Sequence, residues 1–313
     1  MFKSAPVLDL AILRILAVGL QLGLLVADKG YGQAALAEIA KLPDSYYYPL
    51  PLLQLILLPF GVSEPSLSTM ETVHIIAILS GILALIGLFT NLSLGIFAFS
   101  CTFVHLWMVS HSDIHHTEAM MMISLTVLAL SPAGKCLSID RLLFRRNFPQ
   151  RNLLEERDDL ARWPILTIQW IFAMMYASAA YAKISFGGLD WPNGYTLQYY
   201  LAVDGLRWGS PLGVWLSQHH TFVMLSQWGV ILFQMTFFLS ILVPRLKWIY
   251  VPAGMFMHVG IYILLSAPFF QWIALYAAFV PWTQLIRGWQ ERSRKVTSKS
   301  DFSPPRAETP ARQ

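Results

Sequence analysis

Long apolar runs, separated by short polar or basic stretches, organise this chain from end to end. A helix that crosses a bilayer needs about 20 mostly apolar residues, somewhat fewer where it is short or partly interfacial. Eight segments read this way, at about 9–27, 72–89, 92–109, 117–131, 163–183, 221–243, 248–266 and 269–286. The stretch from Tyr46 to Phe60 is also apolar, but Pro49, Pro51 and Pro59 would remove helix hydrogen bonds, so it reads as a re-entrant or interfacial piece. The pattern predicts an all-α fold, a polytopic membrane helix bundle of about eight transmembrane helices. Asp9 to Ala27 lacks the short core and small-residue cleavage site of a signal peptide and reads as a retained first span.

Composition agrees with the pattern. Of 313 residues, 56% are hydrophobic and only 13% charged, which is outside the range of soluble globular domains. The net charge of +4 does not point to nucleic acid, because the basic residues form short clusters between apolar segments and no basic aromatic surface. They act instead as topology signals, since Lys and Arg collect in cytoplasmic loops. With the N-terminus inside, the inner side receives Lys3, Lys135, Arg141, Arg145, Arg146, Arg151, Arg157, Arg162, Arg245 and Lys247. The tail adds Arg287, Arg292, Arg294, Lys295, Lys299, Arg306 and Arg312, whereas the outer loops hold only Lys29, Lys41 and Arg207. Both termini are therefore expected in the cytoplasm. Residues 1–288 read as one membrane domain and 289–313 as a disordered cytoplasmic tail, too polar to fold alone. Cys101 lies in a span and Cys136 in a basic loop, so a structural disulfide is not expected.

On this topology, His74, His105, His111, His115, His116, His219 and His220 fall at the outer side and His258 near mid-membrane. Lys183 ends the fifth span on the outer side and Glu118 begins the fourth. Ionisable groups at membrane depth are costly and are functional candidates by default. For Lys183 two readings stand. The amine snorkels to the interface, where Trp191 and Tyr195 belong to an aromatic belt, or it sits in an apolar pocket and acts as a base. His111 and His115 share a helical face if the helix extends that far, a spacing that suits a metal with His105 and His116, or else they are polar helix caps. The same run looks like one histidine box of the membrane fatty-acid desaturases, although that family carries several boxes on the cytoplasmic side. His258 is either bonded to a neighbouring helix or takes part directly. Arg14, near the inner end of the first span, snorkels or pairs with Asp9.

Several landmarks occur together over Asp9 to about Trp282. They are Asp9 to Ile15; His115-His116 leading to Leu130-Ser131-Pro132 and Leu137-Ser138-Ile139-Asp140; Tyr176 through Lys183-Ile184, with Asp190-Trp191 and Gly194; and His258 ahead of Phe279-Val280-Pro281. In order and spacing they resemble the HTTM transmembrane domain, the membrane part of vitamin K-dependent gamma-carboxylases and their bacterial relatives. The resemblance implies a lysine base that deprotonates vitamin K hydroquinone, matched by Lys183. It also implies assisting histidines, matched by His116 (or His115, one residue away) and His258, on a lumenal face equivalent to the outer side here. His115, Glu118, Trp191 and Tyr195 are the candidate substrate-binding residues. The family often has a second lysine beside the catalytic one, where this chain has Ala182, and the carboxylases carry a large lumenal domain where this chain has a polar tail. The shortened bacterial members, one associated with maturation of a secreted peptide toxin, are the nearer match.

The expectation is thus an enzyme of the bacterial inner membrane with carboxylase-like lyase or quinone oxidoreductase chemistry. Its active face is periplasmic, its cofactor vitamin K hydroquinone or another quinone, and no metal is expected. Its partners are membrane lipid, a lipid-soluble small molecule and a secreted peptide or protein, with no nucleic acid. Two rivals stay open: a transporter or peptide-export protein, and a metal oxidoreductase using His105, His111, His115 and His116.

Overall fold

The computed structural model describes residues 4–27, 32–111, 116–144 and 152–300, apart from the side chains of 116, 117 and 294–300. The fold is all-α. Its helices are α1 (Val7–Val26), α2 (Gln33–Ile39), α3 (Pro51–Leu57), α4 (Leu67–Ile86), α5 (Thr90–Val109), α6 (His116–Ala129), α7 (Ile139–Leu143) and α8 (Arg162–Gly187). They continue as α9 (Tyr195–Trp208), α10 (Pro211–Ser217), α11 (His220–Thr236), α12 (Leu239–Leu242), α13 (Lys247–Leu265), α14 (Phe270–Leu275) and α15 (Trp282–Ser300). Two short strands, β1 (Ala5–Pro6) and β2 (Arg157–Asp158), pair antiparallel.

Among the described residues, five helices are long and apolar enough to cross a membrane: α1, α4, α5, α13, and α8 with its flanking 3₁₀ turns. The other expected spans are shorter or broken. The segment at 117–131 forms the 14-residue α6, and 221–243 divides into α11 and α12. The expectation of one helix over 269–286 is corrected. α14 passes into a 3₁₀ turn at Tyr276–Phe279, Val280 is extended with ψ 124°, and α15 starts afresh after Pro281. The cause is local, because proline lacks an N–H and disfavours helical backbone in the residue before it. α15 runs on past residue 289, where the tail was expected to begin; residues 301–313 lie outside the described residues. In the Tyr46–Phe60 piece, Pro51 opens α3 at its first turn, where its missing N–H costs nothing.

Lipid removes most of the hydrophobic drive between helices, so close packing and polar ties hold such a bundle together. α1 packs against α4, α6 and α14. Gly81 of α4 admits the ring of Phe97 from α5; a Cβ there would lie 2.8 Å from Phe97 Cε2. Arg14 is fully buried in α1 and neither snorkels nor pairs with Asp9. Its guanidinium donates to the carbonyls of Ala133 (2.9 Å) and Leu137 (2.5 Å), supplying donors for two backbone carbonyls of the turn that follows α6. Asp9 instead accepts from the amide (2.7 Å) and hydroxyl (2.6 Å) of Thr283 at the start of α15.

These ties gather the basic segments at one end of the bundle. Arg157 donates to Ser4, Lys135 pairs with Asp158, Arg141 pairs with Glu156 at 2.5 Å, and Arg287 donates to Leu154 O at 2.7 Å. At the opposite end, Ser210 before α10 donates to Ile263 O near the end of α13 (2.8 Å), and His111 after α5 meets Glu64 before α4 (3.0 Å).

Candidate functional site

The site is built on one face of α8. Tyr176, Ala180 and Lys183 follow one another at intervals of four and three residues, which places them on one helical stripe. Tyr176 is the deep member. Its hydroxyl lies 2.7 Å from His258 Nε2 of α13 and 2.5 Å from the hydroxyl of Tyr276, which follows α14. All three side chains are buried, and Phe172, Phe233, Phe237 and Trp272 pack around Tyr176 with ring centroids 4.8–5.4 Å from its own. Gly254, one turn before His258, makes the approach of Tyr276 sterically feasible. A Cβ on it would fall 1.9 Å from Tyr276 Oη.

Counting protons shows what this line of groups can do. A neutral imidazole has one N–H, and each phenol has one O–H. In one arrangement Tyr276 donates to Tyr176, Tyr176 donates to Nε2 and the imidazole proton sits on Nδ1. In the other, Nε2–H donates to Tyr176 and Tyr176 donates to Tyr276. Either way His258 Nδ1 is buried without a hydrogen-bond partner among the described residues. Such an orphan is uncommon, because an unmade hydrogen bond costs about 1–3 kcal/mol. The arrangement offers a two-way proton line ending in an open nitrogen.

Lys183 stands two turns above Tyr176, about 10 Å along the helix axis. It is half-buried, its ammonium donates to Ala179 O (3.2 Å), and it lies 5.4 Å from the centroid of the Trp191 ring. Trp191 folds back over Gly187, where a Cβ would lie 2.7 Å from Trp191 Cβ. Its carbonyl is held by Gln227 Nε2 of α11 at 3.0 Å, while Gln227 Oε1 is buried without a hydrogen-bond partner among the described residues. Among the described residues Lys183 has neither a carboxylate partner nor a hydrogen bond to a histidine.

The other sequence candidates are dispersed. Tyr195 is exposed and stacks on His220 at 4.4 Å, and His220 Nδ1 is 3.0 Å from Gln198 Oε1. Glu118 is buried in the first turn of α6, a helix that packs on α8. His111 uses both ring nitrogens, one against Trp107 O (2.9 Å) and one against Glu64 (3.0 Å). His105 is half-buried in α5. His115 lies outside the described residues, and of His116 only the backbone, at the start of α6, is described. Among the described residues no group of three or more His, Cys, Asp or Glu is placed to hold a metal.

The structure thus brings together Lys183 with Trp191, and His258 with Tyr176, on one stripe of α8. It adds Tyr276, Gly254 and Gln227. Two signals could have found the last two. Gly254 and His258 share a face at i, i+4, and Gln227 with Gln234 marks a polar stripe at i, i+7 inside an apolar segment.

Comparison with protein-family models matches residues 5–283 to the HTTM domain. Compared with curated proteins and with solved structures, the chain finds no match.

Proposed function

Because the chain belongs to the HTTM domain family, we propose that it is an integral membrane enzyme in which Lys183 serves as the base toward a quinone-like or other lipid-soluble substrate. The bundle crosses the membrane eight times, with the shorter and broken segments completing the set. Both termini are cytoplasmic, and the Lys183 end of α8 faces the periplasm of a bacterial inner membrane. The observation that carries this reading is the shared stripe of α8, which puts Lys183 directly above a buried Tyr176–His258–Tyr276 line.

The residues fit a flat, largely apolar group with polar ends. His258 Nδ1 and Gln227 Oε1, without hydrogen-bond partners among the described residues, suit its polar atoms. Vitamin K hydroquinone or another hydroquinone supplies a phenolic O–H and the electrons for reaction with oxygen. Lys183 in its neutral form takes that phenolic proton at Nζ, and among the described residues no carboxylate pairs with it. Trp191 fixes the amine's position and screens it from water, while the tyrosines and His258 return or remove a proton from below. His116 remains a helper on the family resemblance alone.

The test is turnover in proteoliposomes supplied with vitamin K hydroquinone and oxygen. General base catalysis contributes about 10²–10⁴-fold, so Lys183→Ala should lose at least ~100-fold while its thermal unfolding stays unchanged. Full turnover in that variant, or none in the parent protein, would remove the reading. A secreted peptide as a further substrate is addressed by adding it to the same assay.

A further inference from the structure

A concavity lies at the opposite end of the bundle from Lys183. It has a volume of about 300 Å³, the lower bound for small-molecule sites, and its wall includes Asp9, Arg157, Arg162, Gln169 and Lys247 with the backbone of 277–281. This backbone is the stretch where α14 gives way to a 3₁₀ turn and an extended residue, and Gln169 holds it by donating to Ala278 O at 2.7 Å. Three cations therefore face one carboxylate.

The partners already made decide which cations are available. Asp9 is committed through Oδ1 to the amide and hydroxyl of Thr283. Arg157 is committed to Ser4 through Nε (3.2 Å) and Nη2. Arg162 and Lys247 make no hydrogen bond or ion pair among the described residues; each is half-buried, and Lys247 lies within electrostatic reach of both the Asp9 carboxylate and the Arg162 guanidinium. One carboxylate among three cations leaves the hollow with net positive charge, which an anion between Arg162 and Lys247 would offset. Guanidinium and ammonium groups both donate charge-assisted bonds to phosphate oxygens.

We propose that this cavity binds a phosphate group, with Arg162 and Lys247 as its principal ligands. The phosphate comes from an anionic lipid headgroup or from a free phosphate compound, and neither source depends on the enzymatic reading. The test uses the purified full chain in detergent. Inorganic pyrophosphate is titrated by calorimetry, and phosphatidylglycerol retention is compared with phosphatidylcholine by native mass spectrometry. At least one anion should bind saturably, and R162Q/K247Q should weaken it about tenfold or more. R162K/K247R, which keeps both charges, should restore most of it, and R245Q, an exposed cation outside the cavity, should leave it unchanged. Pyrophosphate binding without lipid identifies a free anion, and selective phosphatidylglycerol retention without pyrophosphate binding identifies a headgroup. The proposal is overturned if neither anion binds saturably, if R162Q/K247Q binds as well as the parent, or if R245Q weakens binding as much as the double change.

Discussion

Gly254 sets the geometry of the deep part of the site more sharply than any polar residue does. Alanine is favoured over glycine inside a helix by about 1 kcal/mol, so Gly254→Ala should stabilise α13 if nothing opposed it. Tyr276 opposes it, because the added methyl would sit 1.9 Å from the phenol oxygen, and overpacking of this kind costs about 1–3 kcal/mol or more. The variant should melt lower than the parent protein in detergent. Pairing it with Tyr276→Phe removes the obstructing oxygen but leaves the ring carbon Cζ 2.7 Å from the new methyl, so the cost of Gly254→Ala should shrink in the Tyr276→Phe background without vanishing. Equal destabilisation in both backgrounds would show that the contact does not set the cost. At this scale the sequence exposes residues that are unusual where they stand, such as Lys183 or His258 among apolar neighbours. It conceals Tyr276, an ordinary aromatic residue that acquires its role only when α8, α13 and the end of α14 converge.

Among the elements, α5 shows how remote the support of a helix end can be. Phe89 precedes it in a left-handed conformation and provides no side-chain cap. The cap arrives from Asp140, whose carboxylate accepts from the amides of Phe89 and Thr90 and from the Thr90 hydroxyl, each at 2.7 Å. Negative charge at a helix N-terminus is doubly favourable, since it fills empty donors and opposes the macrodipole. Asp140→Ala should cost about 1–2 kcal/mol, read as a lower melting temperature, with Asp140→Asn intermediate. An unchanged melting temperature in the alanine variant would show that water caps α5 equally well. Capping of this kind cannot be read from local sequence, because donor and acceptor are 50 residues apart. The long helices were legible because their apolar runs are uninterrupted. The break between α14 and α15 was legible in principle from Pro281, yet the apolar residues on either side of it read as one span.

For the whole molecule, the charge pattern and the contacts bear on the same question by separate routes. Lys and Arg counting assigns 3, 135–162, 245–247 and the segment after 287 to one side, and the structure ties residues 4–9, 135–158 and 283–287 together at one end of the bundle. A labelling measurement reads which side of the membrane that end occupies. Cys101 and Cys136 are buried, so the native background should stay silent to a membrane-impermeant maleimide. In spheroplasts, Ser63→Cys, between α3 and α4, should react, and Gln290→Cys, in α15, should react only after permeabilisation. Reaction of Gln290→Cys from outside would reverse the orientation and place Lys183 toward the cytoplasm.

The carbonyls that accept from Arg14 belong to residues made about 120 positions later, and the hydroxyl that donates to Asp9 belongs to one made 274 positions later. A guanidinium at the centre of a bilayer costs at least about 2.5–3.5 kcal/mol. While the ribosome is still working, the first helix must therefore wait with both its charges at a wet surface or against the insertion machinery. Its final seat exists only when the last apolar segment has emerged, so assembly closes on the element that began it.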